Sequence, residues 1–399
     1  MTRINMSSPD LTEAECGAVL DVMRSNHLSL GPRLGEFEQR FSAYVGTRHA
    51  IAVSSGTAAL HLSLIAIQIG EGDLVITSPF SFVASANCAL YERAIPLFVD
   101  VDPLTGNIDA ALVRAATDDI MRGGASGRQW LPRALRDTAG ASALKAILPV
   151  HAFGQPADMT SIMETARRSG LRVVEDACEG LGAGHRGQRA GTFGDLSCFA
   201  FYPNKQMTTG EGGMIVTGDE QYANLCSSLR NQGRDVFDAW LSHSRLGYNY
   251  RLNELSCALG LVQLTRIDEM LAKRAQVAAW YSERLRGVDG VQVPEVAAST
   301  SRMSWFVYVI RLDSMAQRTA MMNALAARGI PSRPYFTPIH LQPFYVEKFG
   351  YRRGDFPVAE DLGDTSLALP FSSVMTEDQV DCVCDALTAV LSEQTVRLR

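Results

Sequence analysis

Short apolar, β-branched runs recur along the chain and alternate with segments whose apolar residues fall three and four positions apart. The runs are HAIAVSS (49–55), DLVITS (73–78), IPLFVDV (95–101), KAILPV (145–150), LRVVED (171–176), LSCFAF (196–201) and GMIVTG (213–218). Between them, Ala58 to Ile69 and Met159 to Arg168 carry the helical spacing. Strand runs alternating with helical segments predict an α/β fold: a mainly parallel, seven-stranded sheet between layers of helices. In such sheets ligands bind beyond the carboxyl ends of the strands, so the residues just after each run are the ones that matter.

Near the start, SSPDLTEAE offers Ser8 as an N-cap and Pro9 as a first helical residue. A long helical pattern runs from Leu252 to about Arg286, followed by the strand-like WFVYVIRL (305–312), a helix around Ala316 to Arg328, a proline-rich loop and a terminal helix from about Thr376. The expected organisation is a large domain over 1–265 and a smaller C-terminal α+β domain over 266–399. The stretch 115–143 reads as a surface excursion between two sheet strands.

Composition narrows the function. The chain has 399 residues, 46% of them apolar, and a net charge of −6, which leaves no basic field for nucleic acid or an acidic membrane. The N-terminal MTRINMSSPDLTEAE has no apolar core or cleavage signal and no run reaches bilayer length, so a cytoplasmic protein is expected. Eight cysteines are scattered, with only Cys382 and Cys384 close together, and no spacing completes a metal site.

Four stretches bear on chemistry. In SSGTAAL (54–60) a strand ends and a helix begins: Gly56 allows close backbone approach, and the N–H groups of Thr57 and Ala58 with the Thr57 hydroxyl would favour a phosphate. Taken alone, that segment is better read as a plain N-cap turn. In VVEDACEG (173–180) an apolar strand ends in Glu175 and Asp176, and a carboxylate buried there needs a cation; a surface cap is the alternative. Gly182, Gly184 and Gly187 spell G-x-G-x-x-G, but the polar, glycine-broken continuation opens no helix, which disfavours a dinucleotide site. Finally, FYPNKQMTTGEGGMIV (201–216) places Lys205 before glycines rather than after them, which is not a phosphate loop of the Walker type. A lone loop lysine is ordinarily a solvated charge. A phosphate cradle, a strand-end acid and a glycine-hemmed lysine in this order on one sheet instead match a pyridoxal phosphate site. The lysine would condense with the aldehyde and the acid would keep the pyridine nitrogen protonated.

These residues resemble the DegT/DnrJ/EryC1/StrS sugar aminotransferases, pyridoxal phosphate enzymes of aspartate aminotransferase-like fold. The resemblance runs from LGPRLGEFEQRF through VSSGTAALHL, VEDACEGLGA, FYPNKQMTTGEGGM and RLGYNYRLNELSCALGLVQL to RPYFTPIHLQPFY. It implies that Lys205 is the cofactor lysine and Asp176 the pyridine-nitrogen partner. Gly56, Thr57 and Ala58 would hold the phosphate, and Phe82 would stack on the ring. Glu179 falls where the family often has Gln or His near the phenolic oxygen; an ionised Glu would repel that oxygen, so this carboxyl is expected protonated or turned away. Ala200 replaces a phosphate-binding serine of many members. Asn249 and Arg251 in GYNYR would approach the phosphate of the neighbouring subunit, implying a homodimer with shared sites.

Relatives that replace the lysine with histidine eliminate a hydroxyl from a sugar, so retention of Lys205 favours amino transfer. The resemblance implies glutamate or glutamine as donor and a nucleotide-linked keto-sugar as acceptor, in amino-sugar or polysaccharide biosynthesis. RPYFTPIHLQPFY looks most like members that aminate carbon 4, with carbon 3 or a cyclitol ketone as alternatives. Candidate substrate contacts are His151, Arg333 and His340, although a loop histidine satisfied by backbone is an equal reading of His340. A regulator that merely keeps the pocket is disfavoured by Lys205 and Asp176 and by the lack of a basic helix-turn-helix segment.

Overall fold

The computed structural model describes residues 4–137, 143–235 and 242–397. All seven apolar runs form strands of one sheet: β1 (His49–Val53), β2 (Leu74–Thr77), β3 (Ile95–Phe98), β4 (Leu144–Leu148), β5 (Arg172–Asp176), β6 (Leu196–Ala200) and β7 (Gly213–Thr217). Their spatial order is β1-β7-β6-β5-β4-β2-β3. Pairings from β3 across to β6 are parallel, whereas β7 runs antiparallel to both β6 and β1. The reversal has a local cause. Residues 201–212 join β6 to β7 as a loop with no crossover helix, and only antiparallel neighbours can be joined that way. That loop contains Lys205.

Neighbouring strand residues enter different cores, as the pleat requires. Val174, Cys198 and Ile215 pack with the helix Gly56–Ala66 on one face. Phe199, Met214 and Val216 pack with Phe37, Phe41 and Leu261 on the other, and Val173 joins the cluster around Ile147 and Ile162. With both faces covered, every residue of β2 and β7 is buried, which is why these runs lack polar alternation.

The C-terminal third builds a second, antiparallel sheet in the order Val291–Gln292, Tyr308–Leu312, Ser366–Leu369, Arg333–Pro334, covered by the helices Ile267–Leu285, Met315–Ala327 and Glu377–Arg397. The helix Ile267–Leu285 ties the two regions. Its first turns, with Met270 and Leu271, pack beneath the large sheet, while Val277, Tyr281 and Leu285 belong to the C-terminal core.

Several expectations need correction. The first helix is Glu13–Arg24, capped by Thr12 and Glu15 in a reciprocal capping box, not a helix opened by Ser8 and Pro9. The long pattern from Leu252 is two helices, Glu254–Thr265 and Ile267–Leu285, parted at Arg266. Within 115–143, residues up to Arg122 complete the helix Ala110–Arg122, whose Val113, Ala116 and Thr117 are buried, so this part is core rather than excursion; 138–142 lie outside the described residues. The G-x-G-x-x-G segment is a hairpin between Gly184–His185 and Gln188–Arg189, turned by Arg186 (φ 50°) and Gly187 (φ 83°). Among the described residues no helix is long and apolar enough to cross a membrane.

Candidate active site

The site is assembled at the carboxyl ends of β1, β5 and β6. Ser55 caps the helix Gly56–Ala66, and its hydroxyl accepts the Ala58 N–H at 3.1 Å. Ala58 is therefore not a free donor, contrary to expectation, and the first-turn amides left for an anion are those of Gly56 and Thr57. Gly56 must be glycine for packing reasons. A Cβ there would lie 2.7 Å from the Ala200 Cβ and 2.9 Å from the Cys178 Sγ. The helix thus starts in contact with the end of β6 and with the turn after Asp176. Ala200 faces the helix start where a serine would add a hydroxyl.

At the end of β5 the two carboxylates part company. Glu175 is fully buried and accepts from the amides of Gly191 (2.9 Å), Phe193 (2.7 Å) and Gly194 (2.8 Å), from the Ser197 hydroxyl (2.7 Å) and from His151 Nε2 (3.1 Å). Burial works to raise its pKa, but His151 and these amides outweigh burial and hold it below the usual range. Asp176, next along the strand and on the other face, is also buried, yet its hydrogen bond is the Cys178 N–H at 3.1 Å. Burial pushes this carboxyl up, against the pull of the Cys178 side chain and amide and of the Lys205 charge. It is a desolvated acid within reach of the Lys205 field.

Lys205 is mostly buried on its loop. Its Nζ lies 3.5 Å from Glu179 Oε1 and 3.8 Å above the centroid of the Phe306 ring. The other Glu179 oxygen accepts the Phe153 N–H at 2.9 Å, so this carboxyl is aimed at the lysine and not turned away. Burial raises its pKa against the pull of Lys205 and the Phe153 amide, with the Asp176 charge adding to the rise. The loop is held from several sides: Gln206 Nε2 donates to the Glu179 carbonyl and to the Ser304 hydroxyl at 2.8 Å, and the Thr208 amide donates to Gln263 at 3.2 Å. Gly212 permits the return, since a Cβ there would sit 2.2 Å from the Thr209 Oγ1.

Aromatic residues that sequence reasoning missed wall this place. The Tyr335 ring lies 6.4 Å from Phe306 and 6.2 Å from Phe153, and Phe336 stacks on Phe153 at 5.3 Å. Tyr335 stood inside the quoted RPYF motif; Phe306 sat in an apolar run that gave no sign of facing the lysine. Phe82 is 64% exposed.

Two substrate candidates are buried and face no open space, although His151 stands beside the site, its main-chain N–H donating to the Asp176 carbonyl at 3.0 Å. His151 is fully buried; Nδ1 accepts the Ala157 N–H at 3.2 Å, so the proton sits on Nε2 and is donated to Glu175. His340 is equally buried, bonded through Nε2 to Glu360 at 3.0 Å with its ring 4.7 Å from Phe356. Both histidines join loops to the core. His340→Ala is expected to cost about 2–4 kcal/mol of stability, read from the urea midpoint, with turnover per folded molecule unchanged. Arg333 is exposed, bonded to the Ser332 carbonyl at 3.1 Å and in no ion pair among the described residues. Asn249 is exposed beside the end of β1, where Ser54 donates to the Tyr250 carbonyl at 2.8 Å, and Arg251 donates to the Asn231 side chain at 3.1 Å.

A mostly buried lysine, a desolvated acid and two amides left over at a helix start, gathered on the strand ends of this sheet, define a class: a pyridoxal phosphate-dependent aminotransferase. These residues fit that cofactor, because among the described residues Asp176 has no ion-pair partner and the Gly56 and Thr57 amides have no acceptor, leaving them to a phosphate. Comparison with known proteins gives the particular group. The chain belongs to the DegT/DnrJ/EryC1/StrS aminotransferase family, whose profile matches residues 9–388. It is 39% identical to a GDP-perosamine synthase of Caulobacter vibrioides, over 98% of this chain and 99% of that one. It is 35% identical to a UDP-N-acetyl-3-dehydro-alpha-D-glucosamine 3-aminotransferase of Acidithiobacillus ferrooxidans, covering 91% of this chain and 89% of the other. Among solved structures, DesV of S. venezuelae superposes with a TM-score of 0.85 at 32% identity over 98% of both chains.

Proposed function

We propose that the protein moves an amino group from glutamate or glutamine to carbon 4 of a nucleotide-linked keto-sugar, within amino-sugar or polysaccharide biosynthesis. The observation that carries amino transfer is the Lys205 ammonium 3.5 Å from Glu179, in the field of the buried Asp176. The nucleotide-sugar reading is supported by relatives named GDP-perosamine synthase in two bacteria, at 39% and 33% identity. Amination at carbon 3 is the second reading, favoured by the 3-aminotransferase relative.

Bound pyridoxal phosphate supplies an aldehyde and an electron-withdrawing ring. The protein supplies the rest. Lys205 Nζ would hold the cofactor aldehyde and, when free, would carry the proton at the substrate carbon. Asp176 would keep a proton on the pyridine nitrogen, the Gly56 and Thr57 amides would receive the phosphate, and Phe82 would pack against the ring. Arg333, with no acid partner of its own among the described residues, is the cation assigned to the donor carboxylate or the nucleotide phosphates. Asn249 and Arg251 complete the site of the neighbouring subunit in a cytoplasmic homodimer.

In the deciding experiment, protein loaded with pyridoxal phosphate is mixed with glutamate and its visible band followed. Bleaching is expected, then recovery on adding a nucleotide-linked 4-keto sugar. A band indifferent to every amino donor sinks the aminotransferase reading. Faster recovery with a 3-keto sugar moves the assignment to carbon 3.

A further inference from the structure

Arg274, on the helix Ile267–Leu285, is only 2% exposed and enters no ion pair among the described residues. Its guanidinium donates instead to four backbone carbonyls. Nη1 reaches Trp305 (3.3 Å) and Phe306 (3.1 Å), and Nη2 reaches Asn204 (3.3 Å) and Lys205 (2.7 Å). Its Nε has no hydrogen-bond partner among the described residues. Burial pulls its pKa down to about 10, with a small opposing pull from Asp10, which expresses how unfavourable a desolvated and unneutralised cation is here.

The two segments it joins are special. One carries the Lys205 main chain, and the other carries the ring over which the Lys205 Nζ lies at 3.8 Å. Either pair of carbonyls alone could be satisfied by turn formation or water. A planar fork that bonds both pairs fixes the distance between lysine and ring.

Resting on the reading of Lys205 as the cofactor lysine, we propose that Arg274 is a positioning residue for the reaction: it locks the lysine loop to the Phe306 segment so that Nζ is held in one place. A lysine in that role would have to move its side chain in every turnover while its main chain stays fixed. Arg274 touches neither reacting atoms nor substrate in this role and acts through Lys205.

The test compares wild type with Arg274→Gln and Arg274→Lys. In cofactor-free protein, hydrogen exchange is expected to rise at least tenfold in peptides spanning 201–207 and 304–308 of Arg274→Gln, with the remainder of the large sheet unchanged. In loaded protein, the glutamate half-reaction is expected to slow tenfold or more while KM for glutamate stays within twofold. The pH midpoint of the visible band should also shift, because the lysine environment is altered. Arg274→Lys, which keeps the charge and loses the fork, should fall between the two, and it carries the comparison if Arg274→Gln does not fold. Wild-type exchange in both peptides together with a wild-type half-reaction overturns the proposal. Failure of Lys205 itself to matter would show instead as activity in Lys205→Ala, a separate result.

Discussion

Lys205→Ala is expected to leave a folded protein that has lost the visible band and at least about 10³-fold of its turnover, since general acid–base transfer alone contributes about 10²–10⁴-fold. Truncation removes a mostly buried ammonium and leaves the main chain tied through Arg274 and Gln206, so far-ultraviolet dichroism should not change. Glu179 loses the cation that opposes its burial and will hold its proton to higher pH. The measurement is the glutamate half-reaction in a rapid-mixing spectrometer, with methylamine added as an external base. Turnover within tenfold of wild type before methylamine is added would remove Lys205 from the chemistry, and with it the assignment of the site.

Asp176→Asn should separate function from stability in opposite directions. The amide keeps the volume and can still accept the Cys178 N–H, but no anion remains to hold a proton on the pyridine nitrogen. Turnover should fall on the order of 10²–10³-fold, the size of effect seen when one preorganised electrostatic contact is removed. Stability of the cofactor-free protein should move the other way. Burial raises the folded-state pKa of Asp176 above its unfolded value, so the aspartate costs stability once the pH passes about 4. That cost grows until the pH reaches the folded-state pKa and is constant beyond it. The variant should therefore melt at a higher temperature than wild type at pH 7, with the gain vanishing as pH falls below about 4. A variant that melts lower at pH 7 would show that Asp176 is stabilised by a contact other than those described.

The site was legible in part. Lys205, Asp176 and Gly56 were found because each stands at the end of an apolar run, and in an open α/β sheet the strand ends share one edge. The histidines misled because LPVHAFG and TPIHLQP look like exposed loops; what buries His151 and His340 are carboxylates at Glu175 and Glu360, which nothing in the local sequence pairs with them. Ala58 was counted a free donor because the pattern SSGTA shows a helix start without showing which residue is the cap. Phe306, Tyr335 and Arg274 were missed for a related reason. Each lies far along the chain from the lysine it serves, in an element whose own pattern is fully explained by packing.

The apolar periodicity of the chain alone determined that seven strands would form a sheet wrapped in helices, because burying two faces demands runs with no polar alternation. The order of motifs along the chain determined the chemistry, because each residue type is already suited to its role. Only the tertiary structure decided that β7 reverses, which of two adjacent acids faces the lysine, and which side chains close around it. These outcomes depend on contacts between residues remote in sequence, and such contacts are set by the geometry of packing and not by any local preference.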